Sequence, residues 1–189
     1  MIRCKQVLGL MVAVCSAFSG DSTFGGARSG GAQTTGPLDA CALMLKADVD
    51  AAFAPRVFGN GEKGRGNIAG TAKLATVSGC TFTSRGASLK EMMTIRIVAR
   101  RAPSDQAGIT VASAKEGAVK LNTTPVDVPG LGDAAYWVNL GSSARPIVEL
   151  NVFTGKRLWI IVGATAPQLG TDAALAGLTK VAKAALGRL

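Results

Sequence analysis

Four side chains are candidates for contact with a ligand: Asp133, Trp137, Glu149 and Trp159. Asp133 follows two glycines in a turn, where an aspartate either acts chemically or bonds to its own backbone. Glu149 is more unusual, because it lies within an otherwise apolar strand. Trp137 and Trp159 fall on separate predicted strands. If both are exposed on one face, they offer a stacking surface for a sugar or an amphipathic ligand. The alternative is that both belong to the core.

Composition excludes several kinds of catalysis. The chain has no histidine, so it cannot form a Ser-His-Asp or Cys-His catalytic unit or a zinc site built on imidazole. A carboxylate hydrolase needs a second carboxylate at a defined distance from Asp133 or Glu149, and the sequence does not identify one. We therefore expect no catalytic residue, no metal and no cofactor.

A glycine-rich segment at residues 59–64, GNGEKG, has the letters of a dinucleotide-binding fingerprint. Such a loop binds a pyrophosphate only where it follows a strand and opens a helix. Here it follows a predicted helix and a proline. The sequence therefore predicts a solvated loop over residues 58–70 rather than a nucleotide site.

Cysteines supply the covalent chemistry. Cys4 and Cys15 lie in a leader segment, which leaves Cys41 and Cys80 in the globular part. Two cysteines in an exported domain predict one disulfide. Closing a loop of about 40 residues restricts the unfolded chain by an amount worth about 4 kcal/mol. The alternative is a pair of buried free thiols.

The candidate residues are positioned by a set of predicted helices and strands. Apolar side chains recur at helical spacing in the opening segment, as one helix or as two that meet near Lys46; they are Leu38, Cys41, Leu45, Val49 and Phe53. Extended and alternating patterns predict strands at residues 76–84, 93–100, 134–140, 147–153 and 158–163. The last two form the best hairpin, and both of its arms are apolar on both faces. We expect this hairpin to lie in the middle of the sheet under a helix.

Two further helices complete the fold. Ser104 is the predicted cap of a middle helix that ends near Val119. Thr171 is the predicted cap of a C-terminal helix, whose covering stripe is Leu175, Leu178, Ala182, Ala185 and Leu189. The order of elements predicts an α+β fold, with an antiparallel sheet flanked by N-terminal, middle and C-terminal helices.

The N-terminal segment has the pattern of an export signal over residues 1–19. Arg3 and Lys5 precede an apolar run that is too short to span a bilayer. Three outcomes are open: cleavage before Gly20, acylation of Cys15 at a lipobox-like segment, or an uncleaved anchor. Residues 20–37 are rich in Gly, Ser and Thr and predict a flexible tether. A single α+β globular domain is predicted over residues 38–189.

Charge restricts the partners. The formal net charge is +9, and removal of the leader, with Arg3 and Lys5 and no acidic residue, leaves a basic product. A basic exported domain is attracted to anionic envelope lipid or acidic polysaccharide, and an envelope protein is the other candidate partner. With few aromatic residues and scattered cations, nucleic acid is not an expected partner. We expect membrane contact only through a lipid anchor.

Four segments together carry a family resemblance: LDACAL at residues 38–43, ADV at 47–49, SGCTF at 78–82 and GLGDAAYW at 130–137. In this order and spacing the chain resembles uncharacterised bacterial secreted proteins and lipoproteins. These have a cysteine in an opening helix, a second in a Cys-aromatic strand, and a GLGDxAxW turn. The resemblance implies a PsbP-like α+β fold and a non-catalytic accessory or binding role at the cell envelope.

Three functional hypotheses follow. The first is an exported, periplasmic or secreted envelope protein that binds a ligand without catalysis, either free or anchored through Cys15. The second is a carboxylate-dependent hydrolase of envelope polymers that uses Asp133 or Glu149. The third is a structural or inhibitory protein that acts through a protein interface, which would require an exposed apolar patch.

Overall fold

The computed structural model describes residues 38–64, 76–86, 91–101, 110–155, 158–165 and 168–189. Its helices are α1 (Ala40–Leu43), α2 (Lys46–Ala52), α3 (Val111–Lys120) and α4 (Thr171–Leu186). Its strands are β1 (Glu62–Gly64), β2 (Thr76–Thr83), β3 (Thr94–Arg101), β4 (Val126–Asp127), β5 (Ala134–Asn139), β6 (Ile147–Thr154) and β7 (Leu158–Thr165). The predicted signal peptide at 1–19, the tether at 20–37 and the lipidation site at Cys15 lie outside the described residues.

The strands form one seven-stranded antiparallel sheet in the order β1-β2-β3-β7-β6-β5-β4. This confirms the α+β fold with an antiparallel sheet. The β6–β7 hairpin lies in the middle of the sheet under α4, as its doubly apolar arms predicted. Alternation along β3 is also confirmed, since Ile95, Ile97 and Ala99 are fully buried. We call the sheet face that carries these three side chains the core face.

Helices α1, α2 and α4 cover the core face, and their apolar side chains join one cluster with it. The buried stripe of α4 consists of Ala174, Gly177, Leu178, Val181, Ala182 and Ala185. Of the predicted stripe, Leu178, Ala182 and Ala185 are buried, and Leu175 is partly buried against the cluster. The prediction is wrong at Leu189, which lies beyond the end of α4 and is 53% exposed. Gly177 packs on Phe53, where a Cβ would lie 2.3 Å from Phe53 Cε1. The helix turns its narrowest side towards that ring.

The caps of two helices differ from the prediction. Gly170, not Thr171, is the N-cap of α4, and no side chain caps this helix. Thr110 caps α3, and its Oγ1 accepts a hydrogen bond from the Ser113 N–H at 3.1 Å. The predicted cap Ser104 lies outside the described residues.

The opening segment breaks into two helices at Met44 and Leu45, close to the predicted position. The break changes the helical register, so the predicted stripe is wrong at Leu45, which is 45% exposed, while Met44 is fully buried. Leu45 is the N-cap of α2 and therefore has an extended backbone. Its N–H donates to Asp48 Oδ2 at 3.0 Å.

A disulfide between Cys41 and Cys80 joins α1 to β2, with the two Cα atoms 5.0 Å apart. This confirms the predicted pair. The residue before β1, Gly61, packs directly on this disulfide, because a Cβ there would lie 2.7 Å from Cys80 Sγ. Lys63 Nζ also donates to Asp39 Oδ2 at 2.7 Å. These tertiary contacts hold Glu62–Gly64 as strand β1, so the prediction of a loop over 58–70 is wrong there, and residues 65–70 lie outside the described part.

Candidate functional site

The face opposite the core face has two differently covered halves. Over β5 and β6 it packs on α3, with Ala118 against Tyr136, Val138 and Phe153. Over β2, β3 and β7, no other helix of the described ranges packs on it, because α1, α2 and α4 belong to the core-face cluster. We call this second half the arginine face. Its residues are Val77, Gly79, Thr81, Thr83, Thr94, Arg96, Val98, Arg100, Trp159, Ile161, Gly163 and Thr165.

Strand register brings the chemistry-bearing side chains of this face into two rows. In one row Arg96 pairs with Gly163, and Gly163 pairs with Glu149. In the other row Arg100 pairs with Trp159, and Trp159 pairs with Phe153. Directly paired residues of neighbouring strands point to the same side of a sheet. Glu149 and Trp159 therefore lie at the boundary between the arginine face and the half covered by α3.

A chain of hydrogen bonds joins these two predicted site residues. The Trp159 indole N–H donates to Asn151 Oδ1 at 3.0 Å, and Asn151 Nδ2 donates to Glu149 Oε1 at 3.1 Å. Asn151 is fully buried, so both of these bonds satisfy polar atoms that would otherwise be costly to bury. Glu149 is thereby explained within an apolar strand: its carboxylate orients the buried amide that holds Trp159.

Aromatic stacking fixes the Trp159 ring. Phe153 and Trp159 are stacked with centroids 5.4 Å apart and planes 12° apart, and Tyr136 stacks on Phe153 at 6.2 Å. The Arg100 guanidinium lies 5.0 Å from the Trp159 centroid. Since Phe153 and Arg100 lie on the strands that flank Trp159, they cover opposite sides of its ring. Its contact with a ligand is therefore restricted to the ring edge.

Arg96 and Arg100 supply the positive charge of this face. Arg96 is exposed and Arg100 half-buried, and within the described ranges neither makes an ion pair. Burial lowers the pKa of Arg100 from its ordinary value, although a guanidinium stays protonated in proteins. Its Nε is buried with no hydrogen-bond acceptor among the described residues. By contrast, four other cations pair with aspartates: Lys46, Lys63, Lys115 and Arg188.

Tyr136, on the half covered by α3, is an unsuitable proton donor or nucleophile at neutral pH. Burial, with a further contribution from the negative charge of Glu149, raises the pKa of Tyr136 to about 12. Lys115 lies 5.9 Å from the ring centroid and pairs with Asp127. The phenol is therefore protonated at neutral pH and serves packing.

The structure does not bring the two tryptophans together. Trp137 pairs with Leu150 and packs against the core-face cluster, whereas Trp159 packs with Phe153 on the opposite side. The alternative in which both are exposed on one face is therefore wrong. The reason is register: the rows of Trp137 and Trp159 cross β6 at Leu150 and Phe153, three residues apart, so the two side chains point to opposite faces.

Asp133 is also separate from Glu149. Its Oδ2 accepts a hydrogen bond from the Gly155 N–H at 2.8 Å, and its N–H donates to the Phe153 carbonyl at 2.8 Å. Asp133 thus ties the turn before β5 to the β6–β7 turn. Glu149 lies four residues from Phe153 along β6, roughly 13 Å at strand rise. This spacing does not suit a pair of hydrolytic carboxylates, which lie no more than about 9.5 Å apart.

The glycines of this turn have specific roles. Gly130 and Gly132 have positive φ values of 72° and 62°, which favour glycine. A Cβ at Gly132 would lie 2.5 Å from the Phe153 carbonyl oxygen. The GLGD segment is therefore explained by backbone conformation and close packing.

Sequence reasoning missed several contributors to the site. Arg96, Arg100 and Gly163 were not singled out, and neither were Asn151 and Phe153. The alternation of β3 already placed the two arginines on one side, so their shared face could have been found. The partners on β6 and β7 could not, because they depend on register between strands.

Two further observations limit the chemistry of the described residues. Within them no group of three or more Cys, Asp or Glu side chains is arranged to hold a metal ion. None of the helices in these ranges is long and apolar enough to cross a membrane.

Searches against protein-family models, curated proteins and solved structures found no match to this chain. The resemblance to secreted proteins and lipoproteins with a PsbP-like fold is therefore still a prediction.

Proposed function

We propose that the protein is an exported cell-envelope binding module without a catalytic role, and that it holds an anionic partner on the arginine face. The observation that carries this proposal is the pair of arginines on that face. Arg96 and Arg100 make no ion pair within the described ranges, and Arg100 is held in place on Trp159. A pre-positioned guanidinium loses little side-chain freedom when it binds an anion.

The Cys41–Cys80 disulfide supports the compartment. Stable disulfides form in oxidising environments such as the periplasm or the exterior of the cell, and a disulfide therefore fits an exported protein. The leader at residues 1–19 supplies the route of export. Mass spectrometry of the mature protein tests this part: cleavage yields an N-terminus at Gly20, and acylation yields a lipid-modified Cys15. A product that begins at Met1 in the cytosol would contradict export.

The state of the candidate carboxylates supports binding over hydrolysis. Asp133 is bonded to the Gly155 backbone, and Glu149 is bonded to the buried Asn151 amide. Each carboxylate therefore has a structural partner, and Asp133 lies beside the Phe153 end of β6, away from Glu149. This arrangement favours a binding module over the hydrolase of envelope polymers.

Retention on immobilised polyphosphate tests the anion site with a matched pair of variants. Arg96→Gln/Arg100→Gln removes two charges from the arginine face, and Lys180→Gln/Lys183→Gln removes two from the exposed side of α4. A charged hydrogen bond contributes about 1.5–3 kcal/mol, so the arginine variant should bind at least about tenfold more weakly. The lysine variant should differ little from wild type. Equal losses in the two variants would show non-specific attraction and refute the proposed site.

A further inference from the structure

The side-chain groups of the arginine face restrict the chemical class of ligand that it suits. Thr81 pairs directly with Arg96, and Thr83, Thr94 and Thr165 form the next row of the same face. Each hydroxyl can both donate and accept a hydrogen bond. A surface with several hydroxyls and guanidinium groups is suited to a ligand that carries both hydroxyl and anionic groups.

The floor of the face provides space for such a ligand. Gly163 lies between Arg96 and Glu149 in one row, so no side chain separates the guanidinium from the carboxylate there. A Cβ at Gly163 would come no closer than 3.8 Å to the Val148 carbonyl oxygen, so close packing does not require the glycine. The gap leaves a carboxylate acceptor for hydroxyl groups beside a guanidinium donor for an anion. Half-buried Val98 and Ile161 form an apolar strip beside it.

The spacing of the arginines favours an extended ligand. Arg96 and Arg100 are four residues apart on β3, which places their backbones roughly 13 Å apart. One carboxylate or one phosphate cannot contact both guanidinium groups in a bidentate manner over that span. A chain with repeated anionic groups can contact both.

The apolar side chains argue against a lipid surface or a protein partner. Peripheral insertion into a membrane requires exposed large apolar side chains, and protein interfaces are enriched in exposed aromatic anchors. Among the described residues of this face on β2, β3 and β7, none is an exposed large apolar residue. At its edge on β6, Ile147 pairs with Thr165 and is 38% exposed. Trp159 is fixed between Phe153 and Arg100. Apart from the single aliphatic side chain at its edge, the face therefore offers polar and charged contacts rather than apolar anchors.

We infer that the arginine face binds an acidic polysaccharide, with Arg96 and Arg100 pairing with carboxylates of separate sugar units. The hydroxyl groups of the sugar bond to the threonines and to Glu149. This inference rests on the proposed function, since it names the class of anion that the same face takes.

The experiment uses the oxidised mature protein and four probes: polygalacturonate oligomers, neutral dextran of similar length, and vesicles of phosphatidylglycerol or phosphatidylcholine. We expect salt-sensitive binding of polygalacturonate and little binding of the other three. The Arg96→Gln/Arg100→Gln variant should lose at least about tenfold in affinity, and the Lys180→Gln/Lys183→Gln control should keep it.

A second variant tests the shape of the face without changing its charge. Gly163→Val adds a β-branched side chain to the floor of the gap, at a place where the backbone leaves room for a Cβ. We expect it to lower polygalacturonate affinity while the melting temperature is kept or raised, because valine favours strands. Unchanged affinity in folded Gly163→Val would overturn the placement of the sugar in this gap.

Different outcomes of this experiment test the ligand class and the anion site separately. Phosphatidylglycerol binding that depends on the two arginines and equals or exceeds polygalacturonate binding would overturn the ligand class and leave the anion site intact. Arginine-dependent retention on polyphosphate without binding of polygalacturonate would also overturn the ligand class alone. Binding of none of the anionic probes, polyphosphate included, or binding that the arginine variant does not weaken, would overturn both.

Discussion

The two faces of the central strands differ in what covers them and in what they carry. On β3, Ile95, Ile97 and Ala99 are fully buried in the cluster that the helices of the core face join, whereas Arg96 on the other side is exposed. On β7, Ile160 is buried and the alternate residue Trp159 is held by a polar network. The same hydrogen bonds between strands therefore position the side chains of both faces. Stability comes mainly from the core face, which leaves the arginine face free to carry groups suited to recognition.

The largest expected effect comes from the disulfide, which belongs to the core-face layer. We predict that Cys41→Ser/Cys80→Ser lowers the free energy of unfolding by about 4 kcal/mol, because the cross-link closes a loop of about 40 residues. Urea denaturation measures this loss, and the reduced wild-type protein should show the same change. A loss below about 1 kcal/mol would mean that the cross-link adds little to this fold.

Two glycine-to-alanine substitutions compare a closely packed helix position in the core-face layer with a helix position that has free space around it. Gly177→Ala places a Cβ 2.3 Å from Phe53 Cε1 in the core-face layer, and overpacking of this kind costs about 1–3 kcal/mol. Gly117→Ala lies in α3 with nothing within 4 Å, and should stabilise the helix by about 0.5–1 kcal/mol. Thermal unfolding of both variants tests the pair. A change of the same sign in both would contradict the packing described for α4.

The two tryptophans distinguish the faces directly. Trp159→Phe keeps an aromatic ring but removes the donor to Asn151 Oδ1, which we expect to cost about 1–3 kcal/mol because that oxygen is left buried and unpaired. Exchange of the indole protons, followed by NMR, is the companion measurement. The Trp159 indole N–H should exchange more slowly than that of Trp137, for which no hydrogen bond is found among the described residues. Faster exchange at Trp159 would refute the polar chain.

The smallest effect is the pH dependence of stability, which comes from the helices of the core-face layer. Burial alone would raise the pKa of Asp48, but hydrogen bonds from Arg188 and Leu45 outweigh it and hold the pKa below the ordinary value of 3.8. A hydrogen bond from Lys63 likewise lowers the pKa of Asp39. A depressed pKa stabilises the fold above the unfolded-state value, and the effect disappears as the pH falls through the folded-state value.

We therefore expect stability to decrease as the pH falls below about 4. Asp48→Asn should make that decrease shallower, as measured by urea denaturation at several pH values. The effect is expected to be no more than about 1 kcal/mol, since such ion pairs are largely exposed to solvent. An Asp48→Asn profile that matches wild type would show that this pair does not contribute.

Local patterns were sufficient to predict much of the fold. Strand alternation in β3, the doubly apolar β6–β7 hairpin and the Cys41–Cys80 pair are each confirmed. The edge strands β1 and β4 were missed, because Glu62–Gly64 and Val126–Asp127 are too short to show a period and pair through tertiary context. The prediction for α4 omits Gly177 from the buried stripe, because its packing on Phe53 depends on a residue far away in the sequence.

The candidate site was harder to predict for a physical reason. Which residues share a face is set locally by alternation, but which of them meet is set by register between strands that are distant in sequence. Glu149 and Trp159 were both singled out, yet the amide of Asn151 that joins them was not. Whether Trp137 shares a face with Trp159 is left open by the sequence, because the parity between β5 and β7 cannot be obtained from either strand alone.

The most direct test of the account is NMR mapping of backbone amides in the oxidised mature protein during titration with polygalacturonate oligomers. The account predicts saturable shifts that concentrate on β2, β3 and β7, at Thr81, Arg96 and Gly163, and that are absent from α2 and α4. Shifts confined to the helical layer over the core face, or no saturable shifts at all, would contradict it.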